Sequence, residues 1–409
     1  MNAQVSFLDG TLSLIHIPLD LYSSLLQPIL KVLLPPSQEP ANQSAATVDG
    51  SLTSTDSYGG FLNISVTPIE CSIVCNSAWA KSVFEPAIKR LPEDQARTVA
   101  ISRDTYAVLS VHGQSMDAGS RVADLTSPLA LANIPIFFIT TYYSDFILVP
   151  IKNRQNVVKT LLSRGFIFSE DDQSSLLSAN PSPTSTHHPY SFSLSHGGHS
   201  RALSQGTVTD LQQRTFDLLK KRHVIPHIEP NLTLVQCTGI HRPSFTASFN
   251  SSTITSRRPS SKPTPTFSSP SQPAWVHTID TTLYTAVIAA LVSQPRFLSL
   301  TLAHEDPPSL LLDKDLLPLF GDAVVGPTED EAGLVPIFLD LADLPFEATG
   351  IVSGVAGRLV REMRKREVAG ERSGVELSYL STARAGAVIL EREMVGRAVG
   401  VLEPALGMN

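Results

Sequence analysis

Cysteine is scarce in this sequence, with three in 409 residues. Three thiols cannot form the disulfide framework that staples small secreted domains, so a reducing compartment is the simpler reading. Positive charge is also in short supply. Lys and Arg number 31 against 38 Asp and Glu, a net charge of −7. Nucleic-acid binding normally shows a basic face or stripe, and the basic runs here are short and local, which excludes nucleic acid as a main partner. No segment reaches the roughly 18 uninterrupted apolar residues of a membrane span. The N-terminus lacks a basic start, apolar run and cleavage site. The expectation is a cytoplasmic chain that does not engage a membrane.

Enzyme signatures are missing too. Histidines pair as His187-His188, His196/His199 and His223/His227, but the first two pairs lie in low-complexity sequence. Pro226 interrupts the helix that would put the third pair on one face, so no metal site and no cofactor is expected. Gly350, Gly354 and Gly357 open a predicted helix without the spacing or the lysine of a phosphate-binding loop. Three readings stay open for them: nucleotide binding, close packing of small residues, or a helix N-terminus that receives a carboxylate. Asp145 reads first as a turn former. Arg361 to Arg366 reads as a solvated helix face, and Cys71 and Cys75 as small apolar groups.

What is present is apolar sequence, 42% of residues, enough for two or more cores. It also repeats. Phe61 to Val66 and Phe297 to Leu302 share a spelling at an offset of 236 (297 − 61), and Ile136 to Val149 matches Leu377 to Leu390 at 241 (377 − 136). Two matches at nearly one offset suggest a duplicated unit. The pattern reads strand, helix, strand, strand, helix, most clearly at 106–111, 121–132, 134–141, 145–149 and 153–163. The predicted fold class is α+β: four ferredoxin-like βαββαβ units in two tandem pairs. The expected boundaries are 1–96, 97–169, a low-complexity linker 170–230 with one helix, 231–321 with a disordered insertion at 241–274, and 322–409. Ser/Pro-rich composition at 170–207 and 241–274 cannot bury enough apolar surface to order the chain.

Thr141-Tyr142-Tyr143-Ser144-Asp145-Phe146-Ile147-Leu148-Val149, Pro345-Phe346-Glu347-Ala348-Thr349-Gly350-Ile351-Val352 and Ser127-Pro128-Leu129-Ala130 resemble the CASTOR family, the cytosolic arginine-sensing ACT-domain proteins of the TOR pathway, here as a divergent member of fungal type. The resemblance implies that each βαββαβ unit is an ACT unit. It implies that the second and fourth hold an amino acid between them without catalysis, so no enzyme is expected. Carried over, the ligand-binding positions are Asp124, Leu125, Phe346, Glu347, Thr349, Gly350, Ile351, Val352 and Thr382, with Ala348, Ala383, Ala385 and Gly386 nearby. Acidic residues expected at 348 and 386 are Ala348 and Gly386, and aromatic residues expected at 383 and 385 are alanines. Tyr142, Tyr143 and Asp145 are the implied partner-binding residues.

The function expected is therefore a non-catalytic regulatory protein that binds a small amino acid, arginine or another, and reports it to a regulatory protein complex, with homodimer formation left open. Two alternatives stand beside it. One is an ACT-fold scaffold without ligand, and the other a regulatory subunit of an amino-acid biosynthetic enzyme.

Overall fold

The computed structural model describes residues 4–34, 60–112, 118–168, 205–240, 280–303, 306–326, 333–345, 348–365 and 376–408. Twelve of the strands among them are, in chain order, β1 (Leu12–Ile17), β2 (Phe61–Val66), β3 (Cys71–Asn76), β4 (Tyr106–His112), β5 (Phe137–Thr140), β6 (Asp145–Pro150), β7 (Leu234–Gly239), β8 (Leu298–Ala303), β9 (Ser309–Asp313), β10 (Leu334–Asp340), β11 (Leu377–Ser381) and β12 (Ala385–Glu391). The principal helices are α1 (Leu26–Leu33), α2 (Ala118–Leu131), α3 (Arg154–Leu162), α4 (Gln205–Lys221), α5 (Thr281–Val292), α6 (Ile351–Lys365) and α7 (Arg392–Leu406). Most fall within a few residues of the sequence pattern, because each keeps its apolar period and its boundary residues. Asp280, for example, caps α5 by accepting from the backbone N–H of Thr282 and Leu283.

The way the strands join overturns the predicted fold class. In place of four separate ferredoxin-like sheets in two tandem pairs, the twelve strands form one closed antiparallel barrel. Its order is β1, β3, β2, β8, β9, β7, β10, β12, β11, β5, β6, β4 and back to β1. The physical reason is the cost of a free sheet edge. An unpaired strand leaves a row of N–H and C=O groups unsatisfied, and closure removes such edges. Each local strand order is visible in the sequence, but which edge meets which is not.

The junctions fall where the sequence matched itself. Ile64 pairs with Leu300, the offset of 236, and Ile139 pairs with Leu380, the offset of 241. The β2–β8 ladder is long, from Phe61↔Ala303 to Val66↔Leu298. The β5–β11 junction holds the single pair Ile139↔Leu380, and hydroxyls extend it. Ser381 Oγ accepts from the Phe138 N–H at 3.0 Å, and Thr140 Oγ1 accepts from the Tyr379 N–H at 3.0 Å.

Side chains alternate across the barrel wall. Leu12, Leu14, Phe61, Phe146, Leu148, Phe338 and Leu380 share one core made of strand and loop residues, the filled interior. Ile15, Ile17, Leu62, Ile64 and Val66 face outward under α1 and α5. Val149, Ile337, Val388 and Leu390 face outward under α2, α3, α6 and α7. At the β2–β8 junction the inner face is polar and saturated. Asn63 Nδ2 donates to Ser299 Oγ at 3.2 Å and Thr301 Oγ1 at 3.1 Å, and Asn63 Oδ1 accepts from Ser65 at 2.8 Å. Cys71, Cys75 and Cys237 are free and buried in the core beneath α1 and α5. Burial pushes the Cys75 and Cys237 thiols up to about 12.

Two outcomes are expected. Asn63→Ala strips the seam of its central donor and acceptor and should lower the unfolding free energy by about 1–3 kcal/mol, read from denaturant midpoints; an unchanged midpoint would mean that water replaces the amide. The three thiols should resist alkylation in the native protein and react once it is unfolded, because the thiolate is the reacting species and burial suppresses it. Mass spectrometry after a timed iodoacetamide pulse checks this.

Candidate functional site

Where β5 meets β11, the barrel wall and the helices outside it enclose a cavity of about 60 Å³. The sequence builds its walls from three directions. Thr126 and Ala130 come from α2, with Ile136 and Phe137 from the strand that follows. Leu341, Leu344, Pro345 and Ala348 form a rim, and the first turn of α6, Ile351 to Ser353, faces inward behind Gly350. Tyr379, Ser381 and the turn Thr382 to Ala385 close the remaining side.

The N-terminus of α6 is fixed by small residues. Gly350 has φ +85°, a conformation most side chains avoid, and its carbonyl accepts from the Gly354 N–H at 2.7 Å and from Thr215 Oγ1 at 3.2 Å. A Cβ on Gly354 would stand 2.6 Å from the Thr215 methyl, and one on Gly357 would stand 2.8 Å from Gln212 Nε2. Of the three readings of these glycines, close packing is therefore realised: they seat α4 against α6. The same packing leaves the N–H groups of Ile351, Val352 and Ser353 at the cavity without intrahelical carbonyls to bond. Ser353 Oγ lies 2.9 Å from Ser127 Oγ of α2 and locks the two helices together.

The turn that closes the cavity is held from behind. Glu70, fully buried, accepts from the Thr382 hydroxyl and from the Arg384 N–H through one oxygen, both at 2.5 Å. Its other oxygen meets His16 Nδ1 at 2.5 Å. Ser72 Oγ accepts from the Ala383 N–H at 3.1 Å. The β2–β3 hairpin thus grips the β11–β12 turn across the barrel. Both turns share a threonine anchor, Thr67 bonding to Glu70 and Thr382 to Ala385, and Thr141 bonds to Ser144 in the same way.

Of the residues singled out from the sequence, Gly350, Ile351, Val352 and Thr382 line the cavity, as do Ala348, Ala383 and Ala385. Leu125 is instead buried in the core between helix and sheet. Asp124 and Thr349 are half-buried and outside the lining. Phe346 and Glu347 lie outside the described residues. Tyr142 and Tyr143 are exposed at 40% and 53%, their rings edge to face at 4.9 Å. Asp145 does not share that surface. It is fully buried, paired with Arg121 of α2, and desolvation pushes its carboxyl up against the pull of that guanidinium.

Sequence reasoning missed Tyr379, Glu70, Thr126, Ser353, Ser381 and Arg384. Glu70 could have been suspected as an isolated acid in an apolar hairpin. Tyr379 pairs with Val388 and lies diagonal to Gly386 in the ladder, which is a weaker signal. Among the described residues, no three His, Cys, Asp or Glu side chains converge as metal ligands, and none of the residues lining the cavity is a carboxylate.

No curated protein matches this chain. Among solved structures it is similar to a protein from Agrobacterium tumefaciens, at 18% identity over 41% of this chain and 93% of that one, TM-score 0.26. It is also similar to aspartate kinase from Synechocystis, at 10% identity over 99% of this chain and 55% of the kinase, TM-score 0.31, and to a protein of unknown function from Vibrio cholerae, at 14% identity over 39% and 87%, TM-score 0.22. At these TM-scores none of the three bears on architecture or function. The family comparison is narrower and clearer. Residues 101–163 match the ACT domain, a single match where four units were expected, and this ACT domain supplies Thr126, Ala130, Ile136 and Phe137 to the cavity.

Proposed function

We propose that this chain is a non-catalytic regulatory protein that binds a small amino acid in the cavity between α2 and α6 and reports its presence to a protein partner. The observation that carries the reading is the first turn of α6, whose N–H groups lack intrahelical acceptors and whose residues line a cavity walled in part by the stretch that matches the ACT domain. A helix N-terminus concentrates partial positive charge and donors where an α-carboxylate would sit. An ACT domain suggests regulatory amino-acid binding in general, and the resemblance to the CASTOR sensors adds signalling to the TOR pathway as the finer form of the proposal. Arginine is not the ligand that the lining favours. A guanidinium calls for a planar, bidentate acceptor, and among the described residues the lining offers none. Among the described residues no helix is long and apolar enough to cross a membrane, which suits a cytoplasmic sensor.

A screen of the twenty amino acids by thermal shift tests the reading, since a ligand at 100 times its Kd stabilises by about 2.7 kcal/mol. The amides of Ile351, Val352 and Ser353 should then move in nitrogen–proton correlation spectra on addition of the hit. If no amino acid shifts melting at millimolar concentration, the ligand-free scaffold replaces this reading. Gly350 is a poor place for a blocking substitution, because its positive φ and the Thr215 contact would make any side chain a folding defect.

For the partner, we propose the paired rings of Tyr142 and Tyr143 as the contact. Replacing both with alanine should leave stability within about ±0.5 kcal/mol of the wild type and remove binding to the signalling complex. Asp145→Ala should behave differently. It removes the buried carboxylate that pairs with Arg121 and should cost about 1–3 kcal/mol, measured by the same denaturation curves.

A further inference from the structure

Every polar side chain lining the cavity has a hydrogen-bond partner within the protein except one. Thr126 donates to the Val122 carbonyl at 2.7 Å, and Ser353 pairs with Ser127. Ser381 serves the Phe138 N–H, Thr382 donates to Glu70, and Arg384 reaches the Ala342 carbonyl at 3.1 Å. Tyr379 is the exception. The residue is among those lining the cavity, it is 1% exposed, and its hydroxyl has no partner among the described residues. Burial pushes its phenol well above the ordinary range, so the hydroxyl stays protonated and able both to donate and to accept.

A buried hydroxyl without a partner is destabilising, and phenylalanine would fill the same space without that cost. The surroundings nevertheless make room for it. Gly386, on the neighbouring strand, has no Cβ, and one built there would stand 2.5 Å from the tyrosine oxygen. Among the described residues the lining is otherwise apolar or already bonded and carries no carboxylate.

We propose that Tyr379 determines specificity: its hydroxyl bonds the side-chain hydroxyl of a small, uncharged amino acid, serine being the type, while the α6 N-terminus takes the carboxylate. This deepens the amino-acid reading above and rests on it.

The test compares glycine, alanine, serine and arginine on wild-type protein and on Tyr379→Phe, by calorimetric titration. Wild type should bind serine about five- to tenfold more tightly than alanine, the value of one neutral hydrogen bond in affinity. Tyr379→Phe, which removes only an unpartnered oxygen, should fold with an unchanged or raised Tm and bind the two alike, through loss of serine affinity alone. A serine preference that survives in Tyr379→Phe, or arginine as the tightest ligand of the wild type, overturns the assignment to Tyr379 while leaving amino-acid binding intact. If none of the four binds wild type, the amino-acid reading and this assignment fall together.

Discussion

Closure of the sheet is the constraint on which the rest depends. Twelve antiparallel strands bond in a ring, so the twelve are hydrogen-bonded on both sides and the outward faces become one continuous floor for the helices. The two junctions differ in strength. The β2–β8 ladder runs through six residue pairs over a saturated polar seam. The β5–β11 junction has one backbone pair and relies on Ser381 and Thr140 to complete it. The cavity occupies the weaker junction.

Glu70 ties this space to a distant part of the barrel. A buried carboxylate is tolerable only with its lone pairs engaged, and this one has donors on both oxygens: a threonine hydroxyl, a backbone N–H and a histidine ring. The result is a wall that can hold a small molecule without rearranging, as a preorganised site requires. The position of the Thr382–Ala385 turn is thereby set by the N-terminal strands as well as by its own hairpin.

Much of the local structure was legible in the sequence because it depends on local causes. The strand spelling at Phe61 to Val66 and the turn at Asp145 each leave a mark in their own residues. The start of α6 was legible for the same reason, since Gly350 signals a special backbone geometry. Long-range relations left no such mark. Nothing in the spelling of β2 shows that it pairs with β8 rather than standing at an edge, so separate units were expected where one barrel exists. Tyr379 could not be chosen over the other buried aromatics, because its distinguishing property is a missing partner, which only the folded surroundings define. Asp145 was misplaced for a related reason: a turn position suggests exposure, while Arg121 of α2 had drawn it inward.

A closed ring also limits how such a molecule can move. An open sheet can hinge between strands or flatten its twist, but a ring can do neither without breaking hydrogen bonds around its circumference. Any response to an occupant of the cavity is therefore confined to elements that rest on the wall without belonging to it, above all α6 and the α4 helix nested on its glycines. Because Gly354 leaves room for the Thr215 methyl and a side chain there would not, α4 rests directly on α6, so a displacement of α6 would bear on α4 first. Under the proposed reading the barrel is the fixed reference frame, and a signal from the cavity would leave through the outer helices rather than through the sheet.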